Sequence, residues 1–341
     1  MKKARATMAV ASIALAAGLL TACGQTGTSN TANSSGGGSK STGTSSHKQY
    51  VIGVSMYTLT NPYFAAMKQS FEENATKDGV TVHVSSANGD QATQLAQIES
   101  FINQKVNAVV IAPQNSDSIV SAVKQLNNAH IPVFFIDSNA NSQLMKQEGA
   151  KEVEVVQSDN YKGGQVIGQE LIAYLGSNPK ATVGVVNFPE AQSCRERDQG
   201  FLNVIKQYPG IKVVATQDGK AAPTTGLSVG TEMLTGHPNI NIVFSDNGPD
   251  SQGVLQAIKS ENKVGKVFLF GFSSARPNIQ AIKNNSIFKG GAQQVPTEEA
   301  KIELGNIVKY LNGGTVPAEV LAPVPGVTKD NAQAAYAKSF G

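Results

Sequence analysis

The 341 residues carry 28 Lys and Arg against 25 Asp and Glu, a formal net charge of +3, and the excess corresponds to Lys2, Lys3 and Arg5 at the very start. Beyond those three the chain is balanced, with no basic run of the kind that neutralises phosphates, so nucleic acid is not an expected partner. A chain of this length buries a large core and, with its ends set aside, suits two domains better than one.

Residues 1–22 start basic, continue through an apolar run over 6–20 and finish in small residues before Cys23. That is the layout of a secretory signal, and the run is short for a membrane span. Leu20-Thr21-Ala22-Cys23-Gly24 resembles the lipobox of bacterial lipoproteins, which implies cleavage before Cys23 and a diacylglycerol on its sulfur. Two acyl chains anchor stably where one is marginal. The only other cysteine, Cys194, then has no disulfide partner and reads as a small packing residue. Residues 23–49 are expected to be the lipidated Cys and a tether. Over 25–48 they are almost entirely Gly, Ser, Thr and Asn, too polar to offset the entropy of ordering.

From Tyr50 onward short β-branched runs alternate with amphipathic stretches. VIGVSMY stops at Thr58, and Pro62 opens a helix with Phe64, Met67, Phe71 and Ala75 at helical spacing before Gly79. TVHVSS leads into a helix over 92–104, NAVVIAP into one over 117–129, and IPVFFID ends at Asp137. After VEVVQSDN come a helix from Tyr161, the strand TVGVVNF, a helix from about Arg195, KVVATQ and a helix from Thr224. NIVFSD, a helix from Pro249, KVFLFGF, a helix from Pro277, GAQQV and a helix over 297–311 complete the pattern. Strict alternation predicts an α/β protein with parallel sheets covered on both faces. The stretches VNAVVIAPQNSDSIVSAVKQL and INIVFSDNGPDSQGVLQAI echo each other, as two doubly wound, Rossmann-like lobes would.

In such sheets ligands bind beyond the carboxyl ends of the strands. The polar residues there are Asn61, Gln114, Asn115, Asp137, residues 158–160, Asp246, Asn247, Ser273, Ser274, Gln293 and Gln294. Amides, hydroxyls and one or two carboxylates suit a neutral polyhydroxylated ligand, whose hydroxyls each donate and accept. Tyr63 and Phe64 could pack against its ring, although any single Asn or Asp here could equally cap a helix. No dinucleotide loop, P-loop, His-Glu-x-x-His or Cys-x-x-Cys is present, and His47, His83, His130 and His237 are scattered. The expectation is a binding protein, not an enzyme, with no cofactor and no metal.

TLTNPYFAAMKQSF, FFID, QSDNYKGGQVIG, CRERDQGF, GHPNINIVFSDN, FGFSS and AQQVP occur in that order, and in this the chain resembles the ribose-binding-like lipoproteins and periplasmic proteins of bacterial ABC importers. The resemblance implies that Asn61, Tyr63, Phe64 and Asp137 contact a sugar from the first lobe, and Arg197, Asn247 and Gln294 from the second. Ser138, Ala221 and Ser273 stand where a ribose-type site has larger or charged groups, which implies a roomier pocket and a ligand other than ribose: a larger sugar, a cyclitol, a furanose signal molecule or something less hydroxylated. It also implies a first lobe of residues 50–158 plus 296–322 and a second of 159–295 plus 323–341, joined by a three-segment hinge near Ser158, Val295 and Pro323. Its partners are then ABC permease subunits in the membrane, with the protein a monomer held outside the cytoplasm by its lipid. Alternatives are service to a chemoreceptor or sensor, the effector domain of a lac-repressor-type regulator, and an exported enzyme using Cys194 or an Asp137 and Arg197 pair.

Overall fold

The computed structural model describes residues 49–272 and 274–341; the signal, Cys23, the tether over 25–48 and Ser273 lie outside the described residues. One six-stranded sheet is built from β1 (Val51–Met56), β2 (Thr81–Ser86), β3 (Ala108–Ile111), β4 (Val133–Ile136), β5 (Glu154–Ser158) and β11 (Glu319–Ala322). Its order is β11-β5-β4-β3-β1-β2 and every pairing is parallel. The second contains β6 (Ala181–Asn187), β7 (Ile211–Asp218), β8 (Ile242–Ser245), β9 (Phe268–Phe272), β10 (Phe288–Ala292) and β12 (Gly326–Thr328), in the order β12-β10-β9-β8-β6-β7. Only β12 runs antiparallel to its neighbour. Each sheet with its helices forms one lobe.

Alternation along the strands puts one side-chain set on each face. In β4, Phe134 and Ile136 enter one core while Val133 and Phe135 enter the other; in β8, Ile242 and Phe244 are separated from Val243 in the same way. The first sheet is covered by α1 (Pro62–Asp78), α2 (Gln91–Gln104), α3 (Val120–Asn128), α4 (Ser142–Glu148) and α10 (Pro296–Leu311). Around the second lie α5 (Asn160–Leu175), α6 (Gln192–Ile205), α7 (Pro223–Gly236), α8 (Gly248–Ser260), α9 (Arg276–Asn284) and α11 (Ala332–Ala337).

The helix expected over 117–129 begins only at Val120, because the Asn115 side chain accepts from the N–H groups of Asp117 and Ser118 and holds them in a turn. The one expected near Arg195 begins earlier, at Gln192. The short elements α4, β11, β12 and α11 carry too few residues for a periodic signal. The chain passes between the sheets at residue 159, over 293–295 and over 323–325. In each lobe the winding direction reverses at one pair of strands, β1 with β3 and β6 with β8, and the ends of these strands face one shared cleft.

Helices α5 and α6 cross on glycine. A Cβ on Gly164 would sit 2.0 Å from the Arg197 carbonyl oxygen, and one on Gly200 would sit 2.0 Å from that of Tyr161. Backbone cannot yield as a flexible side chain can. Gly200→Ala is expected to cost at least about 1–3 kcal/mol and to lower the melting temperature by several degrees, read by circular dichroism.

Candidate functional site

The cleft encloses a cavity of about 250 Å³. From the first lobe it is lined by the loop after β1, with Tyr57, Thr58 and Asn61, by Tyr63 and Phe64 at the start of α1, and by Asp137 after β4. The second lobe contributes Phe188 after β6, Cys194 and Arg197 from α6, Ala221 before α7, Asn247 after β8, then Ser274 and Gln294. The lobes touch around this space: Tyr57 stacks on Phe188 at 5.8 Å between ring centroids, and its hydroxyl donates to the Lys220 carbonyl at 3.3 Å.

Arg197 is the buried cation of the site, 4% exposed. Its Nε donates to Asn160 Oδ1 (2.8 Å), its Nη1 to the Asp246 carbonyl (3.1 Å), and the guanidinium lies over the Phe272 ring at 4.2 Å. Nη2 stands 3.8 Å from Asp137 Oδ1, with no hydrogen-bond partner among the described residues. Burial opposes the charge, but the surrounding acidic groups of Cys194, Asp137, Tyr63 and Asp246 outweigh it and raise the Arg197 pKa. For Asp137 burial wins, and its pKa rises against the opposing pull of Arg197 and of hydrogen bonds from Tyr63 and Gln294. Asp137 has φ 68°, and the turn closes when Ser138 N–H donates to the Ile136 carbonyl at 2.8 Å. That is the rarer, strained γ-turn, and here it aims a carboxylate into the cleft.

A second chain of hydrogen bonds runs behind the cavity. Gln294 Nε2 donates to Ser158 Oγ (3.2 Å), Ser158 Oγ to Glu299 Oε1 (2.6 Å), and the Tyr63 hydroxyl to Glu299 Oε2 (2.5 Å). Glu299 is fully buried, and burial pushes its pKa up to about 7 against the hydrogen bonds from Ser158 and Tyr63. As a first-turn residue of α10 it reads in sequence like an ordinary acid at a helix N-terminus.

Asn61, Tyr63, Phe64, Asp137, Arg197, Ala221, Asn247 and Gln294 are therefore brought to one cavity, but not all with free polar atoms. Asn61 caps α1 through its side-chain oxygen, leaving its Nδ2 for the cleft. Asn247 caps α8 and donates to Asp246 Oδ1 (2.7 Å) and Asp250 Oδ2 (2.6 Å), so both its amide hydrogens are used and only its oxygen retains capacity. Asp246 is wholly buried and turned inward, accepting from Phe188 N–H at 2.9 Å. Ser138 is not on the cavity wall; its Oγ accepts from Ser193 N–H at 3.2 Å across the cleft, a role that an arginine in this position could not fill.

Tyr57, Phe188, Cys194 and Phe340 line the cavity and are absent from the expected set. Phe188 and Tyr57 follow strands directly, and a search for polar strand ends passes over aromatics. Phe340 approaches Tyr63 at 6.2 Å between centroids, beside a backbone bridge from Ala275 to Phe340; its distance in sequence from any strand end left no signal.

A two-lobed α/β scaffold with a polar, aromatic-walled cavity at both switch points defines a solute-binding protein. The chain belongs to the family described as periplasmic binding protein domain, which matches residues 52–315. It is 33% identical over 277 residues to the ribose import binding protein RbsB of Bacillus subtilis (strain 168), covering 81% of this chain and 87% of that one. Among solved structures it resembles an ABC transporter periplasmic solute binding protein from Actinobacillus succinogenes 130z with bound D-allose: TM-score 0.77, 26% identity, 84% of this chain and 100% of the other. A carbohydrate transporter solute binding protein from Agrobacterium radiobacter in complex with D-arabinose gives TM-score 0.78 and 27% identity over 86% of this chain and 100% of the other.

Glu299 gives the fold a pH dependence of definite sign. Its pKa is 4.5 ordinarily and about 7 in the fold, so between these values the folded protein holds a proton that the unfolded chain has lost. Stability from this group is complete below the lower value and is lost as pH rises to the upper, roughly 3 kcal/mol in all. Glu299→Gln should remove that slope: the melting-temperature difference, variant minus wild type, should grow in the variant's favour from about pH 5 to about pH 8.

Proposed function

We propose that this protein captures a neutral sugar or sugar-like polyol between its lobes and delivers it to an ABC-type membrane permease. The observation that carries this reading is the pair of Asp137 and Arg197, one from each lobe and 3.8 Å apart on the wall of a cavity of about 250 Å³. An accepting carboxyl beside a donating guanidinium can hold neighbouring hydroxyls of one ring with charge-assisted hydrogen bonds. The Tyr63 and Phe64 rings supply the apolar surface on which the C–H face of a sugar packs. The relatives named above bind D-allose and D-arabinose or carry a ribose import name, which supports a monosaccharide-sized ligand.

In this reading residues 50–158 with 296–322 form one rigid lobe and residues 159–295 with 323–341 the other. The crossing segments act as the hinge. Their mutual hydrogen bonds, Asp159 N–H to the Ala322 carbonyl (2.8 Å) and Gln293 N–H to the Pro325 carbonyl (3.0 Å), keep the three strands moving as one strap. Ser138 and Ser273, where ribose-type sites carry larger or charged groups, turn selectivity away from ribose. The protein works as a monomer, anchored outside the cytoplasm by a diacylglycerol on Cys23.

A thermal-shift screen of pentoses, hexoses and cyclitols tests the ligand class: a ligand at a hundred times its dissociation constant should stabilise by about 2.7 kcal/mol, a shift of several degrees. Asp137→Asn keeps the shape and removes the charge, so the same sugar should bind roughly 10- to 100-fold more weakly. A shift by amino acids or nucleosides and by no polyol would overturn the reading. For the anchor, the wild type should fractionate with membranes in a Gram-positive or Gram-negative host, and Cys23→Ala should release it.

A further inference from the structure

Helix α6 carries Ser193, Cys194 and Arg197 to the cavity, yet its N-cap is Ala191, which has extended backbone (φ −92°, ψ 134°) and no side chain able to accept a hydrogen bond. The first N–H groups of a helix need acceptors from outside it. Here two of them find acceptors in the opposite lobe. Gln192 N–H donates to Ser116 Oγ at 2.8 Å, and Ser193 N–H donates to Ser138 Oγ at 3.2 Å. Both serines are buried, at 0% and 1% exposure, one in the loop after β3 and the other after β4.

Each serine is itself fixed. The Ser116 carbonyl accepts from Asn141 N–H at 2.7 Å in its own lobe, while its N–H donates across the cleft to the Glu190 carbonyl at 3.1 Å. Ser138 directly follows Asp137 in the strained turn. On the far side, Arg195 Nη1 donates to the Pro189 carbonyl at 2.6 Å and braces the turn that leads into α6.

We propose that Ser116 and Ser138 are a closure latch: they cap α6 in trans, so that the helix bearing Arg197 completes its N-terminus only when the cleft is shut. When the lobes part, the two N–H groups lose these acceptors and turn to water, and the hydroxyls lose their donors. Closure thus gains two cap bonds that no ligand supplies, and it gains them on the helix whose position sets the distance between Arg197 and Asp137. Ser138 acts as a positioning residue in this way and does not touch the ligand. The proposal rests on closure of two lobes over a solute, but not on the solute being a sugar.

Cys194 supplies a readout independent of any ligand. It is the only cysteine among the described residues, 5% exposed, on the cavity wall directly after Ser193 of the latch. Its alkylation by N-ethylmaleimide in the full chain, followed on the residue-194 peptide by mass spectrometry, measures how often the cleft opens. Ser116→Ala and Ser138→Ala should each speed this modification roughly 3- to 10-fold, the typical effect of losing one cap acceptor, and the double variant should multiply the two. Ala191→Ser removes nothing: it gives α6 a cap from its own lobe, available in the open state, and should also speed modification while holding or raising the melting temperature.

Rates equal to wild type in the serine variants, or lowered melting temperature with unchanged Cys194 rates, would reduce the two hydroxyls to fold-stabilising contacts and overturn the latch. So would slower modification in Ala191→Ser. The same assay with D-allose as probe separates the readings: absence of protection by the sugar in the wild type counts against a sugar ligand, while the comparison of serine variants still decides the latch.

Discussion

A guanidinium taken out of water must be surrounded before the chain around it can fold, and much of the second lobe serves Arg197. Asn160 opens α5, the Asp246 carbonyl directly follows β8 and Phe272 ends β9, so three separate parts of the lobe converge on one planar group. Their convergence depends on the close crossing of α5 and α6, because only there does Asn160 come within hydrogen-bond reach of Nε. One edge of the fork stays directed at Asp137, which leaves Nη2 without a hydrogen-bond partner among the described residues on the cavity wall.

The acids near it illustrate the same constraint from the other side. One buried cation cannot offset Asp137, Asp246, Asp250 and Glu299 together, and burial raises the pKa of all four. Asp250 is held up at about 7 although Asn247 and Ala222 donate to it. A carboxyl whose pKa is raised holds its proton to higher pH than a free one, and a protonated carboxyl donates as well as accepts.

Much of this was legible in the sequence for physical reasons that are local. The alternation of β-branched runs with helical spacing fixes parallel sheets, and the ends of those runs deliver Asn61, Asp137, Asn247 and Gln294 to one place. Local signals could not divide capping from binding at Asn61 and Asn247, because both residues cap helices while lining the cavity. What stayed hidden depends on how two lobes meet. Ser138 looks like a lost ligand group until Ser193 approaches it, Phe340 reaches Tyr63 only through the folded tail, and Glu299 becomes a buried acid only when α10 lies against Tyr63 and Ser158.

The first sheet is closed on one side by β11, whose Glu319 meets Gln157 of β5 at a separation of 162 residues in the chain. All of the second lobe's parallel strands are synthesised between those two partners. During synthesis β5 is therefore left as an edge with open N–H and carbonyl groups until nearly the whole chain exists, and α10 arrives equally late. The two sheets consequently receive their last strands, β11 and β12, within a few residues of each other, and a chain ending inside the second lobe also lacks the edge strand of the first.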